Sequence, residues 1–504
     1  MQEITLEARK NYSVKLILLL IFLVTALSIF AGFEQGQRLL FGLSLAIIAS
    51  ISLFKIVKRY GVDRLITYGV FFVAIYFPFE EVVLKLLPVS SKIYSILRFG
   101  GEFFIYALFL AVLIEKFSKR SFIGTPIDIA LFLFVAATAI SALVNNTGLI
   151  EFALFMRAIL RYVTLFYTVA NLKLSNDFVR KLVIALICVG LIQVAIGFAQ
   201  VTIGERVNNV LKPRESTLTV AGYSKSFILN NNKREIGSIY GTTGDTINLA
   251  LFLMVTLSFS AGYIFFAKPS HRLWLALTSF SFILAIIFTY SRGTFLSVVL
   301  LLAIILLVRR KKLFLAGISV AILLILSLVP ASLMIADNYR EPSESRQSPI
   351  ADFTHIFTNR YKNSAQKGRL YVLNVASNEV ITKSPVFGFG PEFGAGKIEL
   401  LRDVYWIFIM YKVGLLGIGA FVFLFIKLGQ ITWYVYSRSE QLIPKMVALS
   451  FLAILGAVVL DNFFISVSEI KIASLYFWLF AGLLAAYWND VKSNKLESSL
   501  KGSE

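Results

Sequence analysis

Arg157 and Arg161 stand four residues apart inside the apolar stretch 150–169. That spacing puts both guanidinium groups on one face of a helix. Counted from the outer end at ~1.5 Å per residue, they lie roughly 10 and 17 Å deep. A mid-membrane arginine costs about 2.5–3.5 kcal/mol even on a lenient insertion scale. Two on one face need acidic partners from another helix, a wet cavity, an anionic ligand, or room to snorkel. Few acids are available at that depth, which favours a ligand or cavity. Lys412 raises the same question in the stretch 404–426, just before Val413-Gly414-Leu415-Leu416-Gly417. The two glycines there permit close helix packing, and a snorkelling or paired lysine is the plainer account of the charge. Arg292 sits in the tight turn Tyr290-Ser291-Arg292-Gly293. Together with Arg157 and Arg161 it would complete a cationic pocket, and arginine suits phosphate because its planar fork binds two oxygens at once.

Proton transfer needs an acid or base near those cations. Asp403 closes a long polar segment and opens the next apolar stretch, where it is a candidate base and also a natural N-cap. Asp245, Asp461, Glu469 and Glu392 are the other acids expected near the outer surface. His271 lies in a turn expected on the opposite side, and His355 has no metal-like partner nearby in sequence. The sequence contains no HExxH, CxxC, paired-aspartate or P-loop motif, so no metal site and no ATP-driven transport are expected. Gly388-Phe389-Gly390-Pro391 is not a dinucleotide fingerprint, since no strand precedes it and a proline intrudes. The one cysteine, Cys188, lies in an apolar stretch and reads as a buried, inert thiol.

The elements that must position these groups are membrane helices. Hydrophobic residues make up 58% of the 504-residue chain, and the mean hydropathy is +0.78. Soluble domains are about 45–50% apolar. Fourteen apolar stretches run over 14–33, 39–54, 65–77, 103–114, 127–144, 150–169, 182–201, 247–265, 274–290, 294–308, 313–335, 404–426, 446–464 and 472–488. A spanning segment must satisfy its own backbone, so these are helices. The third and fourth are short, giving 12–14 transmembrane helices. Residues 1–490 read as one all-α polytopic membrane domain. Two long loops interrupt it, at 204–245 and 336–403, and a disordered tail follows at 491–504. In the second loop Leu370, Leu373, Ala376, Val380 and Ile381 recur at helical spacing until Pro385. An amphipathic helix over 369–383, lying across the bundle mouth, is expected, followed by a loop at Gly388, Gly390, Gly394 and Gly396.

The net charge of +20 invites a nucleic-acid reading, which the distribution of charge opposes. If the N-terminus is cytoplasmic and the stretches alternate, short cytoplasmic segments hold 24 of the 49 Lys and Arg, and short external ones hold six. The positive-inside rule then puts both termini in the cytoplasm and both long loops outside.

Three segments carry a family resemblance. They are Thr289-Tyr290-Ser291-Arg292-Gly293-Thr294-Phe295-Leu296; Gly368-Arg369-Leu370-Tyr371 with Ser384-Pro385-Val386-Phe387-Gly388-Phe389-Gly390; and Asp403-Val404-Tyr405-Trp406 through Gly414-Leu415-Leu416-Gly417. Their order and spacing resemble the O-antigen polymerase and O-antigen ligase superfamily, the Wzy and WaaL type glycosyltransferases. Gly241-Thr242-Thr243 with Asn248-Leu249-Ala250 is similar to the family's segment entering the eighth stretch. Ligases commonly carry His-Asn where this chain has Asp403-Val404, so the aspartate looks more like the polymerase branch.

The resemblance implies a GT-C-like membrane enzyme in the bacterial inner membrane, with an external active site. Its donor and acceptor would be glycans on undecaprenyl diphosphate, and no metal or other cofactor would be required. Arg157, Arg161, Arg292 and Arg369 would bind the diphosphate, and Asp403 would be catalytic. Lys412, Asp461 and Tyr405 are further candidates. A flippase and a chain-length regulator are the implied protein partners. The other readings are a ligase that moves finished polymer to another acceptor, and a flippase for lipid-linked oligosaccharides.

Overall fold

The computed structural model describes residues 62–87, 94, 97–118, 121, 123–212, 216–220, 223–227, 238–309, 369–392, 401 and 404–501. The first, second and eleventh apolar stretches lie outside the described residues, as do Asp403 and His355. The chain is an all-α polytopic membrane protein. Its helices are α1 (Val62–Tyr76), α2 (Glu80–Leu86), α3 (Gly100–Ser118), α4 (Asp128–Val144), α5 (Leu149–Leu160), α6 (Val163–Ala170) and α7 (Asn176–Thr202). After α8 (Glu205–Leu211) and an antiparallel hairpin of β1 (Ser216–Val220) and β2 (Tyr223–Phe227) come α9 (Thr246–Ile264), α10 (Pro269–Phe288) and α11 (Arg292–Arg309). The remainder is α12 (Arg369–Lys383), α13 (Tyr405–Arg438), α14 (Leu442–Asp461) and α15 (Lys471–Lys501). Among the described residues six helices, α7, α9, α10, α13, α14 and α15, are long and apolar enough to cross a membrane.

The centre of the bundle is α9. Every residue from Leu249 to Gly262 is buried, and the helix packs against α7, α10, α11, α14 and α15. Small residues let backbones approach closely where no water drives the packing. Ser258 Oγ donates to the Ser450 carbonyl at 2.7 Å, and Ser450 Oγ returns a bond to the Ser258 carbonyl at 3.0 Å. Peripheral helices instead turn large apolar side chains outward, among them Phe132 on α4 and Trp274 on α10. Lipid is the solvent that makes such exposure favourable. Cys188 belongs to this outward set on α7: it is exposed, not buried as its apolar surroundings alone imply.

Several expected boundaries change. The stretch 150–169 is not one helix: it breaks at Arg161–Tyr162, where Tyr162 adopts φ −109° and ψ 12°, leaving α5 and α6. The stretch 404–426 lengthens into α13, which is interrupted at Gly414 (φ 72°, ψ −168°). The amphipathic helix at 369–383 has the expected bounds and packs on α13, burying Ala376 and Val380. Ile381 departs from the expected stripe and is exposed. The tail at 491–501 continues α15 as helix rather than ending at the apolar boundary. Its Lys, Leu, Glu and Ser residues need only extend an existing helix, which avoids the cost of nucleation.

Candidate functional site

The two arginines meet an acid that sequence reasoning missed. Glu102, in the first turn of α3, is buried and reaches both of them. Its Oε2 lies 2.6 Å from Arg157 Nη2, and its Oε1 lies 3.4 Å from Arg161 Nε. Two guanidinium groups share this one carboxylate, and Glu469 is a second acid whose charge acts on Arg161. The Arg157 side chain is 32% exposed and rests over the Phe99 ring at 4.8 Å, whereas Arg161 is 12% exposed. Tyr106, Tyr162 and Glu469 also lie within electrostatic reach of Arg161. The helix break at Arg161–Tyr162 positions this pair, because Arg161 caps the C-terminal end of α5 just before the chain turns into α6.

A second ion pair stands alongside. Lys471 opens α15, where a cation opposes the helix dipole. Glu80 compensates it through a short hydrogen-bonded ion pair, and the Arg98 carbonyl accepts from the same ammonium at 2.8 Å. Burial pushes the Glu80 carboxyl above the usual carboxylate range, with Lys471 acting in the opposite direction. Gly101 permits the approach: a Cβ there would sit 2.9 Å from Glu80 Oε1 and 2.8 Å from the Phe77 ring.

The segment 461–471 ties the remaining candidates to this cluster. Asp461 ends α14 and is fully buried, and its Oδ1 lies 3.3 Å from the point where Gly293 would carry a Cβ. The carboxylate thus packs against the turn that starts α11 with Arg292. Ser297 is beside it, yet neither carboxylate oxygen makes a well-formed hydrogen bond to a described residue. The next residue, Asn462, accepts the Tyr405 N–H at 2.9 Å through its carbonyl, and the Val467 N–H at 3.1 Å through its side chain. Tyr405 is buried against Phe408 and Phe421. Beyond Val467 the chain reaches Glu469 and so returns to Arg161. The buried Asp461 oxygens, Asn462 Nδ2 and Ser297 Oγ gather at this junction without a hydrogen-bond partner among the described residues. Such clustering is unusual for a packed interior and is expected at a site that handles polar ligands. A narrow apolar cleft lined by Ile159, Leu160, Phe425, Ser468, Ser474 and Trp478 adjoins it.

The glycine loop has a structural task. Breaking α13 at Gly414 leaves carbonyls without partners on one side and N–H groups without partners on the other. The loop after α12 satisfies both sets. Phe389 N–H and Gly390 N–H donate to the Tyr411 and Lys412 carbonyls at 2.9 and 3.0 Å. Leu415 N–H and Leu416 N–H donate to the Pro385 and Val386 carbonyls at 2.8 and 3.3 Å. Ser141 Oγ on α4 is within reach of the Phe387 carbonyl (2.6 Å) and the Lys412 carbonyl (3.1 Å). Gly414 therefore makes a helix break and a docking point for the loop, rather than a helix–helix contact. The Lys412 side chain, 2% exposed, pairs with Glu392 at 3.7 Å. Its charge is answered at the end of a half-helix, where the dipole favours a cation. Asp245 acts as an N-cap, accepting from Ile247 N–H at 2.8 Å. Arg369 is the first residue of α12.

These contacts bring the SRG turn, the start of α13, the glycine loop and the 461–471 turn to one end of the bundle. Residues 277–406, which include the SRG turn and the glycine loop, match the O-antigen ligase family model. Over that segment the chain is similar to the O-antigen ligase and polymerase superfamily, and the match does not divide the two branches. No curated protein matches the chain.

Proposed function

We propose that the protein is a polysaccharide polymerase. In this reading it joins undecaprenyl-diphosphate-linked repeat units at the external face of the bacterial cytoplasmic membrane. The observation that carries it is the Arg157–Glu102–Arg161 cluster, which sets two arginines on one carboxylate and adjoins an apolar cleft at the end where the family motifs meet. A lipid diphosphate supplies the anionic head that suits a pair of arginines.

The donor is already activated, because its diphosphate is the leaving group. Cations fixed where negative charge develops supply a large part of the barrier reduction. Arg157, Arg161, Arg292 and Arg369 would serve that purpose. The acceptor is a sugar hydroxyl on a second lipid-linked unit, and Asp403 would take its proton as the new glycosidic bond forms and the bond to diphosphate breaks. Neither a metal ion nor a nucleotide enters this scheme. Both termini would be cytoplasmic. A flippase delivering units, and a protein that limits chain length, would work on either side of this step.

A ligase is the second reading, since the matching family model carries that description. Lipid-linked glycan profiles from cells with and without the protein separate the cases. Loss of long chains with single units retained supports the polymerase. Long chains persisting on the carrier lipid identify a ligase, and single units accumulating inside the cell identify a flippase.

A further inference from the structure

Glu102 lies outside the segment matched by the family model and 55 residues from the first arginine that it binds. Its carboxylate, only 4% exposed, meets both guanidinium groups, one oxygen to each. Two arginines one helical turn apart repel each other and, left alone, would splay into separate rotamers. A shared carboxylate offsets that repulsion, hydrogen-bonding Arg157 and holding Arg161 in an ion pair beside it. Each guanidinium carries five N–H donors in a rigid fork, so one contact to Glu102 leaves donors free to act on another anion. Arg157 is held further by Phe99 and stays partly exposed, as a ligand-binding arginine must. An acid in the first turn of α3 is itself favoured by the helix dipole.

We infer that Glu102 is a positioning residue. It spends one unit of the arginine charge to pre-align Arg157 and Arg161 on the diphosphate of a lipid-linked donor. This rests on the reading of those arginines as the diphosphate site. The alternative is a plain counter-ion that keeps the arginines folded and idle. The two differ in how binding and turnover separate. Removing the carboxylate adds positive charge to the site but loosens its geometry, so ground-state binding of a diphosphate persists while transition-state alignment suffers.

The test uses the full-length protein in detergent. Two quantities are measured: the Kd for undecaprenyl diphosphate, and kcat for extending lipid-linked single units extracted from cells that lack the protein. For Glu102→Gln the expected result is a kcat at least tenfold lower with a Kd equal to or tighter than wild type. Glu102→Asp, which keeps the charge but draws it back, should recover part of that kcat. A folded Glu102→Gln protein with wild-type kcat overturns the inference. So does a parallel loss of kcat, affinity and melting temperature that Glu102→Asp does not relieve. If Glu102→Gln fails to fold, Glu102→Asp decides alone: reduced kcat with retained Kd supports positioning, and wild-type kcat overturns it. Arg157→Ala and Arg161→Ala separate the two levels. If both keep wild-type Kd and kcat, the diphosphate reading itself fails. If both are impaired while Glu102→Gln matches wild type, only the Glu102 inference fails.

Discussion

Arg161 sits where α5 ends, with Glu102 on one side and Tyr162 following it into the turn. Losing one charged hydrogen-bonded contact typically costs about 1.5–3 kcal/mol. Arg161→Ala should therefore slow chain extension roughly ten- to hundredfold, measured as product per minute from purified protein of unchanged melting temperature. Arg292→Lys should also be impaired, because an ammonium cannot reproduce the planar fork. Asp403→Asn should bind donor normally and lose extension, since its shape persists while its basicity does not. Normal extension by folded Arg161→Ala and Asp403→Asn proteins would make these charges structural. The arginines were legible in the sequence because a guanidinium inside an apolar run conflicts with the bilayer. Glu102 was not. It falls just before the apolar stretch 103–114, where an acid looks like an ordinary helix start, and its pairing with Arg157 is a tertiary contact that no local pattern encodes.

The interrupted α13 and the loop that fills it form the most specific element of the fold. Gly414 has φ 72°, and a Cβ there would meet the Val386 carbonyl oxygen at 2.2 Å. Gly388 has φ 66°, and its Cβ would meet the Tyr411 carbonyl oxygen and the Gly414 nitrogen, both at 2.6 Å. Strain at a positive φ costs of order 1–3 kcal/mol before any clash is counted. Gly414→Ala should accordingly lower the melting temperature by several degrees. Gly419→Ala is the control, because nothing lies within 4 Å of its Cβ and the site is ordinary helix. It should be neutral or mildly stabilising. Equal melting temperatures for the two variants would contradict the docked-loop account. The helix at 369–383 was readable from its apolar spacing and from Pro385 as a stop. The insertion of Pro385–Gly390 into a distant helix was not, since it depends on hydrogen bonds between backbones 22 to 30 residues apart, and backbone groups carry no sequence signature.

Across the whole molecule, the contacts sort the connecting segments into two ends. Lys85 binds the Asn209 and Val210 carbonyls at 2.5 and 2.9 Å, and Lys471 binds Glu80, so the segments around 80, 209 and 471 share one end. Ile123 N–H donates to Asn171 at 2.9 Å and Tyr487 to Asn176 at 3.1 Å, which gathers 123, 171–176 and 487 at the other. The alternation of apolar stretches anticipated this grouping because it rests on hydrophobicity alone. Which end faces the cytoplasm is an expectation from the lysine and arginine distribution. With Cys188 replaced, an impermeant thiol reagent on intact cells should label Ser348→Cys and spare Ser499→Cys. The reverse pattern would invert the topology. The central claim is polymerisation on the carrier lipid, and reconstitution tests it most directly. Purified protein is given undecaprenyl-diphosphate-linked single units as both donor and acceptor, and the products are resolved by length. The account predicts a ladder of longer glycans still attached to undecaprenyl diphosphate. Unextended single units, together with transfer of preformed long chains to a different lipid acceptor, would contradict it.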